Sequence, residues 1–337
     1  MSRFDNIGII IPALNPNEGI IKLINGLKEN ELHNILVVDD GSKEENKKFF
    51  KELEKNGVKV LVHEVNQGKG QALKNALKEF SKDSKIDGVV TVDCDGQHLV
   101  KDVVKISEKL QDGEFVIGKR NLYHNRETPI FSKIGNAFSS FYLKISSGKF
   151  LEDTQNGLRG IPRKHFGLAL EIEGDRYEYE MNFLKEICSK KQPIETVEIE
   201  TVYKDRIKNF RVIKDSYLVY KNFFRNILSS LICAILVLFM VFKNVLTVFT
   251  ANIIARVISG VIDFGINKLW VFNNKTDSKT RTEFLKYLVL FIAQMLINSG
   301  IITLLSLVFT ELLIVKIILN TIMYIINYFI KSKFIFI

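Results

Sequence analysis

The chain has 337 residues, of which 47% are hydrophobic and 25% charged, and its formal net charge is +9. This length allows about two domains. The three cysteines, Cys94, Cys188 and Cys233, are far apart in the sequence, which excludes a disulfide framework and a zinc-binding pattern and is typical of a reducing compartment.

Strands and helices are predicted to alternate along the first hundred residues. Strand-like apolar runs cover 7–13, 34–42, 58–64 and 88–96, and helical patterns cover 19–29, 43–56 and 70–82. The first apolar run is too short for a signal peptide, so we expect this part of the chain in the cytoplasm. The alternation predicts βαβ units and a mostly parallel sheet, whose ligands bind at the carboxyl ends of the strands.

Polar motifs follow three of these strands, namely "PALNPNE", "VVDDGS" and "DCDGQH". In the third motif, Asp93 and Asp95 end an apolar run only one residue apart. Two close carboxylates repel each other, and a bound divalent cation would compensate both. The alternative is a solvated turn, because Asp-Gly is a common turn dipeptide. The convergence of acidic motifs on several strand ends favours a binding site.

The segment "NQGKGQAL" precedes a predicted helix. It is no dinucleotide fingerprint, because Leu73 stands where the third glycine is needed. It is no phosphate-binding Walker motif either, because Gly70 stands where a Ser or Thr should hold magnesium. We interpret it as a loop that leads into a helix N-terminus, with Lys69 placed near phosphate.

The last third of the chain is predicted to be membrane-embedded. Apolar runs cover 227–242, 245–272, 287–310 and 312–330, which predicts four spans. The second run carries Arg256 and Asp263, which lie on one helix face and would have to point into the bundle or a polar cavity. The alternative for this run is a helix on the membrane surface.

Basic residues predict the orientation of these spans. Lys and Arg are more frequent before the first run, between the second and third runs, and after the fourth run; these residues are Lys221, Arg225, Lys275, Lys279, Arg281, Lys286, Lys331 and Lys333. The opposite turns hold Lys243 and Lys316. Because cytoplasmic loops are enriched in Lys and Arg, we expect both termini in the cytoplasm.

The motifs "IIIPALNPNE", "VVDDGS", "NQGKG", "TVDCDGQH", "DTQNGLRG" and "RYEYEMNFL" follow one another in the order seen in family 2 glycosyltransferases with the GT-A fold. The chain most resembles members that load a sugar onto a polyprenyl phosphate, such as dolichol-phosphate mannosyltransferase-like enzymes. Its apolar part resembles the GtrA-like four-helix domain. The resemblance implies a GT-A α/β domain at 1–222 and an all-α domain of four transmembrane helices at 223–337.

The resemblance also implies roles for individual residues. The nucleotide sugar is expected at Pro12, Ala13, Glu18, Asp39, Asp40, Lys69 and Asp93, and Mg²⁺ or Mn²⁺ at Asp93, Asp95 and Gln97. The acceptor phosphate is expected at Arg120, Lys204, Arg206 and Arg211. Asp153 and Arg120 are the expected catalytic residues, with Asp153 either an orienting group or a base. Attraction to anionic lipid is an alternative for the basic group at 204–211.

The implied activity is inverting transfer of a hexose from a UDP- or GDP-sugar to polyprenyl (undecaprenyl) phosphate at the cytoplasmic leaflet, for cell-surface polysaccharide or glycan modification. The expected partners are the nucleotide sugar, the lipid and the membrane, with no nucleic acid; self-association stays open. The alternative is a lipid-linked sugar transporter or scaffold whose first domain binds nucleotide sugar without catalysis. A processive synthase is disfavoured, because its Gln-x-x-Arg-Trp pattern needs a tryptophan and none precedes Trp270.

Overall fold

The computed structural model describes residues 3–123, 125, 128–200 and 280–306, with isolated positions at 235, 239, 247, 250, 253, 254, 257, 258 and 319. The chain divides into two compact units, Met1–Val219 and Tyr220–Ile337.

The first unit alternates strands and helices. Its strands are β1 (Ile7–Ala13), β2 (Asn34–Asp40), β3 (Lys59–His63), β4 (Gly88–Thr91), β5 (Phe115–Arg120), β6 (Arg159–Pro162) and β7 (Ile194–Ile199). Its helices are α1 (Gly19–Glu29), α2 (Lys47–Lys55), α3 (Lys69–Ser81), α4 (Val100–Leu110), α5 (Ile130–Ser147), α6 (Phe166–Glu171) and α7 (Glu178–Ser189).

The strands form one sheet in the order β3-β2-β1-β4-β6-β5-β7. All neighbouring strands are parallel except β6, which runs antiparallel to both β4 and β5. The predicted mostly parallel α/β sheet is therefore confirmed. Strands β1, β2, β4 and β5 consequently share one carboxyl edge.

The sheet is covered on both faces, and this explains why the central strand β1 is apolar at every position. Side chains of a strand alternate between the two faces of the sheet. In β1, Ile9 and Ile11 pack into a cluster with Ile24 of α1, whereas Ile10 packs on the other face with Ala76 of α3. A sheet with two covered faces needs such unbroken apolar strands.

The strand predicted at 88–96 ends earlier than expected, at Thr91. Beyond it the backbone N–H of Asp93 donates to the ring of His98, and Gly96 has a φ of +77°. The acidic motif therefore lies in a turn beyond the strand.

The helix predicted at 43–56 begins only at Lys47. The preceding residues Glu44–Asn46 form a short 3₁₀ helix, and this segment contacts the loop after β1. The N–H of Lys43 donates to Asn15 Oδ1, and Asn46 Nδ2 donates to the carbonyl of Pro16. These two contacts fasten the loops after β1 and β2 to each other.

In the second unit, the structure describes α8 (Thr280–Ser306), which covers most of the third predicted run. Within the described part of the chain, no helix has the length and apolar character needed to cross a membrane. The other three predicted spans lie outside the described residues, apart from isolated positions.

Candidate functional site

The candidate site lies at the carboxyl edge of the sheet, where β1, β2, β4 and β5 end. Pro12 and Ala13 are the last residues of β1 and are buried. In the register of the sheet they lie opposite Val38 and Asp39 of β2. The predicted nucleotide-binding residues of these two strands are therefore neighbours.

Asp39 orders the loop that follows β2. Its Oδ1 accepts the backbone N–H of Ser42 at 2.8 Å, and the Ser42 hydroxyl in turn accepts the N–H of Asn15 at 2.9 Å. Asn15 has a φ of 51°, a left-handed conformation that asparagine tolerates better than most residues. Asp39 thus joins the two loops that border this side of the site.

Asp40 contacts a different loop from its neighbour Asp39. Its two carboxylate oxygens accept the backbone N–H groups of Gln67 and Gly68 at 2.8 and 2.9 Å, and Oδ1 also lies 2.8 Å from His63 Nδ1. Asp40 is buried, and these contacts fix the loop that leads into α3. Asp40 is therefore packed against this loop.

Glu18 lies at the N-terminus of α1, and its side chain is 79% exposed. Among the described residues its ion pair is with Lys22, one helical turn away, at 3.6 Å. The structure does not bring it into contact with the other predicted site residues.

Lys69 is the centre of the charged cluster at this edge. Its ammonium lies 2.7 Å from Asp93 Oδ1 and 2.8 Å from Glu180 Oε2, and its side chain is only 15% exposed. Lys69 is the first residue of α3, and a helix N-terminus favours negatively charged ligands. Its predicted position near phosphate is thus combined with two carboxylate contacts.

Asp93 is held in its charged form by this cluster. Burial opposes ionisation, but the Lys69 ammonium outweighs it and lowers the pKa of Asp93 to about 2. The pKa of Asp95 is raised instead, first by burial and then by the charge of Asp93. Burial also raises the pKa of the intervening Cys94 thiol to about 12, so no thiolate ligand stands between the two carboxylates.

The donor set at Asp93 and Asp95 suits Mg²⁺ or Mn²⁺, because both ions prefer oxygen ligands. The raised pKa of Asp95 reflects a carboxylate charge that a cation would stabilise. Gln97 lies against Asp95, to which its N–H and its side-chain amide both donate. Within the described residues, no three His, Cys, Asp or Glu side chains form a cluster that could hold a metal. A cation here would therefore need further oxygen ligands, which a diphosphate can supply.

His98 supports the acidic turn through hydrogen bonds. Its Nδ1 accepts the backbone N–H of Asp93 at 3.1 Å, which leaves the ring proton on Nε2. Nε2 lies 3.1 Å from Asn156 Oδ1, and Asn156 Nδ2 donates to the carbonyl of Gly118 at 2.7 Å. The ring therefore connects the turn after β4 with the "DTQNG" loop and with β5.

Arg120 and Asp153 form a bidentate ion pair. Arg120 Nε and Nη2 donate to the two carboxylate oxygens at 2.7 and 2.8 Å, and the backbone N–H of Arg120 adds a third bond at 3.0 Å. The Asp153 side chain is completely buried. Asn156 of the same loop contacts His98 of the acidic turn, and the Arg120 charge helps to lower the pKa of Asp93, so the two pairs belong to one site. The structure thus brings together both predicted catalytic residues and the predicted metal ligands.

Two glycines allow the close packing of this cluster. A Cβ at Gly157 would lie 2.6 Å from Asp93 Oδ2 and 2.9 Å from Lys69 Nζ. A Cβ at Gly70 would lie 2.5 Å from the Cβ of Tyr179. The "DTQNG" and "GKG" motifs therefore need their glycines for close approach to neighbouring segments.

Sequence reasoning did not identify Glu180 and Arg159 as site residues. Glu180 belongs to the quoted motif "RYEYE", but its partner Lys69 is more than a hundred residues away in the sequence. Arg159 is buried and donates to three backbone carbonyls, those of Thr154, Asn156 and Glu180. The signal was present in the quoted motifs, but only the fold shows that these motifs meet.

The predicted acceptor residues Lys204, Arg206 and Arg211 lie outside the described residues.

Two protein families match this chain. The family described as Glycosyl transferase family 2 matches residues 8–170, and the family described as GtrA/DPMS, transmembrane domain, matches residues 226–336. The first match covers the site residues from β1 to the "DTQNG" loop but not Glu180, and the second covers the predicted membrane segment.

Individual relatives match part of this chain. An uncharacterised protein of Methanocaldococcus jannaschii is 33% identical over 210 residues, which are 59% of this chain and 82% of the relative. A UDP-N-acetylglucosamine–dolichyl-phosphate N-acetylglucosaminyltransferase of Methanococcus voltae is 32% identical over 216 residues, 58% of this chain and 86% of the relative. The solved structure of glucosyl-3-phosphoglycerate synthase from Mycobacterium tuberculosis with Mg²⁺ and UDP is 19% identical, with a TM-score of 0.48, over 66% of this chain and 77% of that chain.

Proposed function

The chain belongs to glycosyl transferase family 2, and from this premise we propose that it transfers a hexose from a UDP- or GDP-sugar to a polyprenyl phosphate, with inversion at the anomeric carbon. It is a membrane-bound glycosyltransferase, because a GtrA/DPMS transmembrane domain follows the catalytic domain. The name of the Methanococcus voltae relative, which specifies UDP-N-acetylglucosamine and dolichyl phosphate, supports this class of donor and acceptor.

The observation that carries the proposal is the arrangement of charges around Asp93. The carboxylates of Asp93 and Asp95 lie at the sheet edge, Lys69 contacts Asp93, and the Arg120 charge acts on Asp93 as well. Carboxylates that can bind a cation, next to the basic side chains of Lys69 and Arg120, suit a substrate with two phosphates. The loops joined by Asp39 and Ser42 border the position that we assign to the nucleoside.

Departure of the nucleoside diphosphate is the step that needs charge stabilisation. Mg²⁺ or Mn²⁺, held by Asp93, Asp95 and Gln97, would stabilise the negative charge that develops on the leaving group. Lys69 adds a positive charge on the same side, next to the N-terminus of α3. Both contributions act on the bond between the sugar and the diphosphate.

We assign the acceptor phosphate to Arg120. A phosphate monoester has its second pKa near about 6, so it is largely ionised at neutral pH and needs little help from a base. Both oxygens of Asp153 already accept hydrogen bonds from Arg120. We therefore propose that Asp153 orients Arg120 and does not act as the base.

Helix α5 supports a membrane-borne acceptor. One side of it exposes large apolar side chains, with Phe131 84% exposed and Ile134 and Phe141 about half exposed. Its polar side holds the catalytic loop, because Asn136 contacts both residues that flank Asp153. A bilayer in contact with the apolar side would bring lipid headgroups close to this loop.

We assign the reaction to the cytoplasmic leaflet, because the distribution of Lys and Arg predicts both termini on that side. In this proposal the product is a lipid-linked sugar for cell-surface polysaccharide or glycan modification. The membrane domain anchors the enzyme and aids movement of the product across the bilayer.

The proposal is tested with purified full-length protein, undecaprenyl phosphate, Mg²⁺ or Mn²⁺, and a panel of labelled nucleotide sugars. We expect label from one donor to enter the organic phase, and we expect chelation to abolish this transfer. Asp95→Asn should reduce the rate on the order of 100-fold, because it removes a charged ligand of the leaving-group cation.

Asp112→Asn is the matched control. Asp112 is an exposed carboxylate paired with Lys109 just before β5, at the opposite edge of the sheet, and its loss should leave the rate unchanged. Absence of lipid product with every donor, while nucleotide still binds, would contradict the proposed function.

A further inference from the structure

We propose that the Lys69 ammonium neutralises Asp93 while the site is empty. When a divalent cation binds to Asp93, the ammonium moves to the diphosphate of the donor. Glu180 is the positioning residue that keeps hold of the ammonium in both states. The inference rests on the proposed function, since it needs a nucleotide sugar and a cation at this edge of the sheet.

The first observation is the pair of contacts made by Lys69. One ammonium lies between two carboxylates, 2.7 Å from Asp93 Oδ1 and 2.8 Å from Glu180 Oε2. Of these two partners only Asp93 belongs to the predicted metal site. Glu180 can therefore keep its ion pair with Lys69 when Asp93 binds the divalent cation.

The second observation is that Glu180 stands on a segment fixed to the base of α3. The N–H of Gln71 donates to the carbonyl of Asp175 at 2.9 Å, and Tyr179 packs directly against Gly70. On the other side, Arg159 donates to the carbonyl of Glu180 at 2.6 Å. Because the backbone of Glu180 is held from two sides, its carboxylate stays within reach of Lys69.

The third observation is the competition at Asp93. A cation bound by Asp93 and Asp95 would share a carboxylate with the Lys69 ammonium, and two positive charges at such short distance repel strongly. Lysine has a flexible stem and three donor hydrogens. One donor can stay on Glu180 while the others reach the phosphate oxygens that arrive with the cation.

A transfer of this kind couples the two ligands. The diphosphate attracts Lys69 away from Asp93, which frees this carboxylate for the metal. By linkage, each ligand then increases the affinity of the site for the other. In the absence of both ligands, Lys69 neutralises Asp93 and keeps the acidic edge stable.

The test measures Mn²⁺ binding to the nucleotide-free, full-length enzyme by electron paramagnetic resonance. Lys69→Met removes the competing ammonium and should tighten Mn²⁺ binding by about tenfold or more, given the strength of charge interactions at a few ångström. Lys69→Met alone leaves the charge of Glu180 unpaired. The double variant Lys69→Met/Glu180→Gln removes both charges and so restores the net charge of the wild type.

The double variant distinguishes two explanations for tighter Mn²⁺ binding, namely loss of competition between Lys69 and Mn²⁺ for Asp93 and a change in the net charge of the site. Competition at Asp93 predicts that it binds Mn²⁺ more tightly than the wild type. An effect of net charge alone predicts wild-type affinity, and this result would overturn the inference. The matched control is Lys74→Met/Asp175→Asn, which removes another Lys–Asp pair involving α3 and should leave Mn²⁺ affinity unchanged.

A second measurement tests the passage of Lys69 to the diphosphate. At Mg²⁺ concentrations that saturate both proteins, the affinity for UDP and for GDP is measured by calorimetry. The nucleotide that binds the wild type should bind the Lys69→Met/Glu180→Gln variant about tenfold more weakly, because one close phosphate contact is lost. Unchanged nucleotide affinity would contradict the transfer.

Glu180→Gln alone tests the positioning role. It should raise the KM for the donor while kcat at saturating donor and metal stays near the wild-type value, because Lys69 is still present but, without Glu180, is held by Asp93 alone before the donor binds. A loss of kcat with unchanged KM would contradict this role. Formation of lipid product by the wild type in the same preparation reports on the proposed function separately, so the two failures are distinguishable.

Discussion

At the scale of single residues, neighbours in the sequence have different tasks. Asp39 fastens the loops after β1 and β2, whereas Asp40 fastens the loop before α3. The side chains of adjacent strand residues point to opposite faces, which explains this division. Buried carboxylates that accept backbone N–H groups hold loops in place. Asp39 and Asp40 each do this for loops that border the site.

The Arg120–Asp153 pair yields a prediction at this scale. Asp153→Asn should lower kcat/KM for the lipid acceptor on the order of 100-fold, because small displacements of a positioning group have effects of this size. If Asp153 orients Arg120, the pH dependence of the residual activity should match that of the wild type. Disappearance of the alkaline-rising limb of the pH–rate profile in the variant would instead identify Asp153 as a base.

At the scale of elements, α5 reverses the usual arrangement of a surface helix. Its buried side carries the polar residues Asn136, Ser139 and Ser140, and its outer side carries Phe131 and Ile134. In water the outer side would be an exposed apolar patch, which typically marks an interaction surface. One side of the helix is therefore suited to contact the membrane, and its other side contacts the loop of Asp153.

We expect Phe131→Glu/Ile134→Glu to raise the KM for undecaprenyl phosphate in liposomes by at least about tenfold, because two apolar side chains are lost from the bilayer and each contributes about 1.5–3 kcal/mol when fully buried. Nucleotide affinity should not change, because the replaced side chains are exposed and lie outside the donor site. Val62→Glu/Val65→Glu, at exposed positions near β3, is the control. Equal effects of both double variants on KM would contradict a specific role of α5.

At the scale of the whole molecule, a charged α/β unit is followed by an apolar unit that matches a transmembrane family. The basic residues that flank the apolar runs, such as Arg225 and Lys331, should hold both termini in the cytoplasm. A fluorescent protein fused to the C-terminus should fluoresce, and alkaline phosphatase fused there should be inactive. An active phosphatase fusion would show the opposite orientation.

The sequence by itself determined the features that depend on local order. The alternating strands and helices predicted a mostly parallel sheet, and the spacing of Asp93 and Asp95 predicted two carboxylates at its edge. Both features follow from short-range periodicity and from the rule that parallel strands end at one edge. The motifs were also sufficient to indicate the family.

Only the tertiary structure decided which of these residues meet. It paired Lys69 with Glu180, assigned Asp40 to the loop before α3, and left Glu18 exposed beside Lys22. It also ended the strand before Asp93 at Thr91, where a turn replaces sheet pairing. Contacts between segments a hundred residues apart depend on how helices cover the sheet, and no local pattern encodes them.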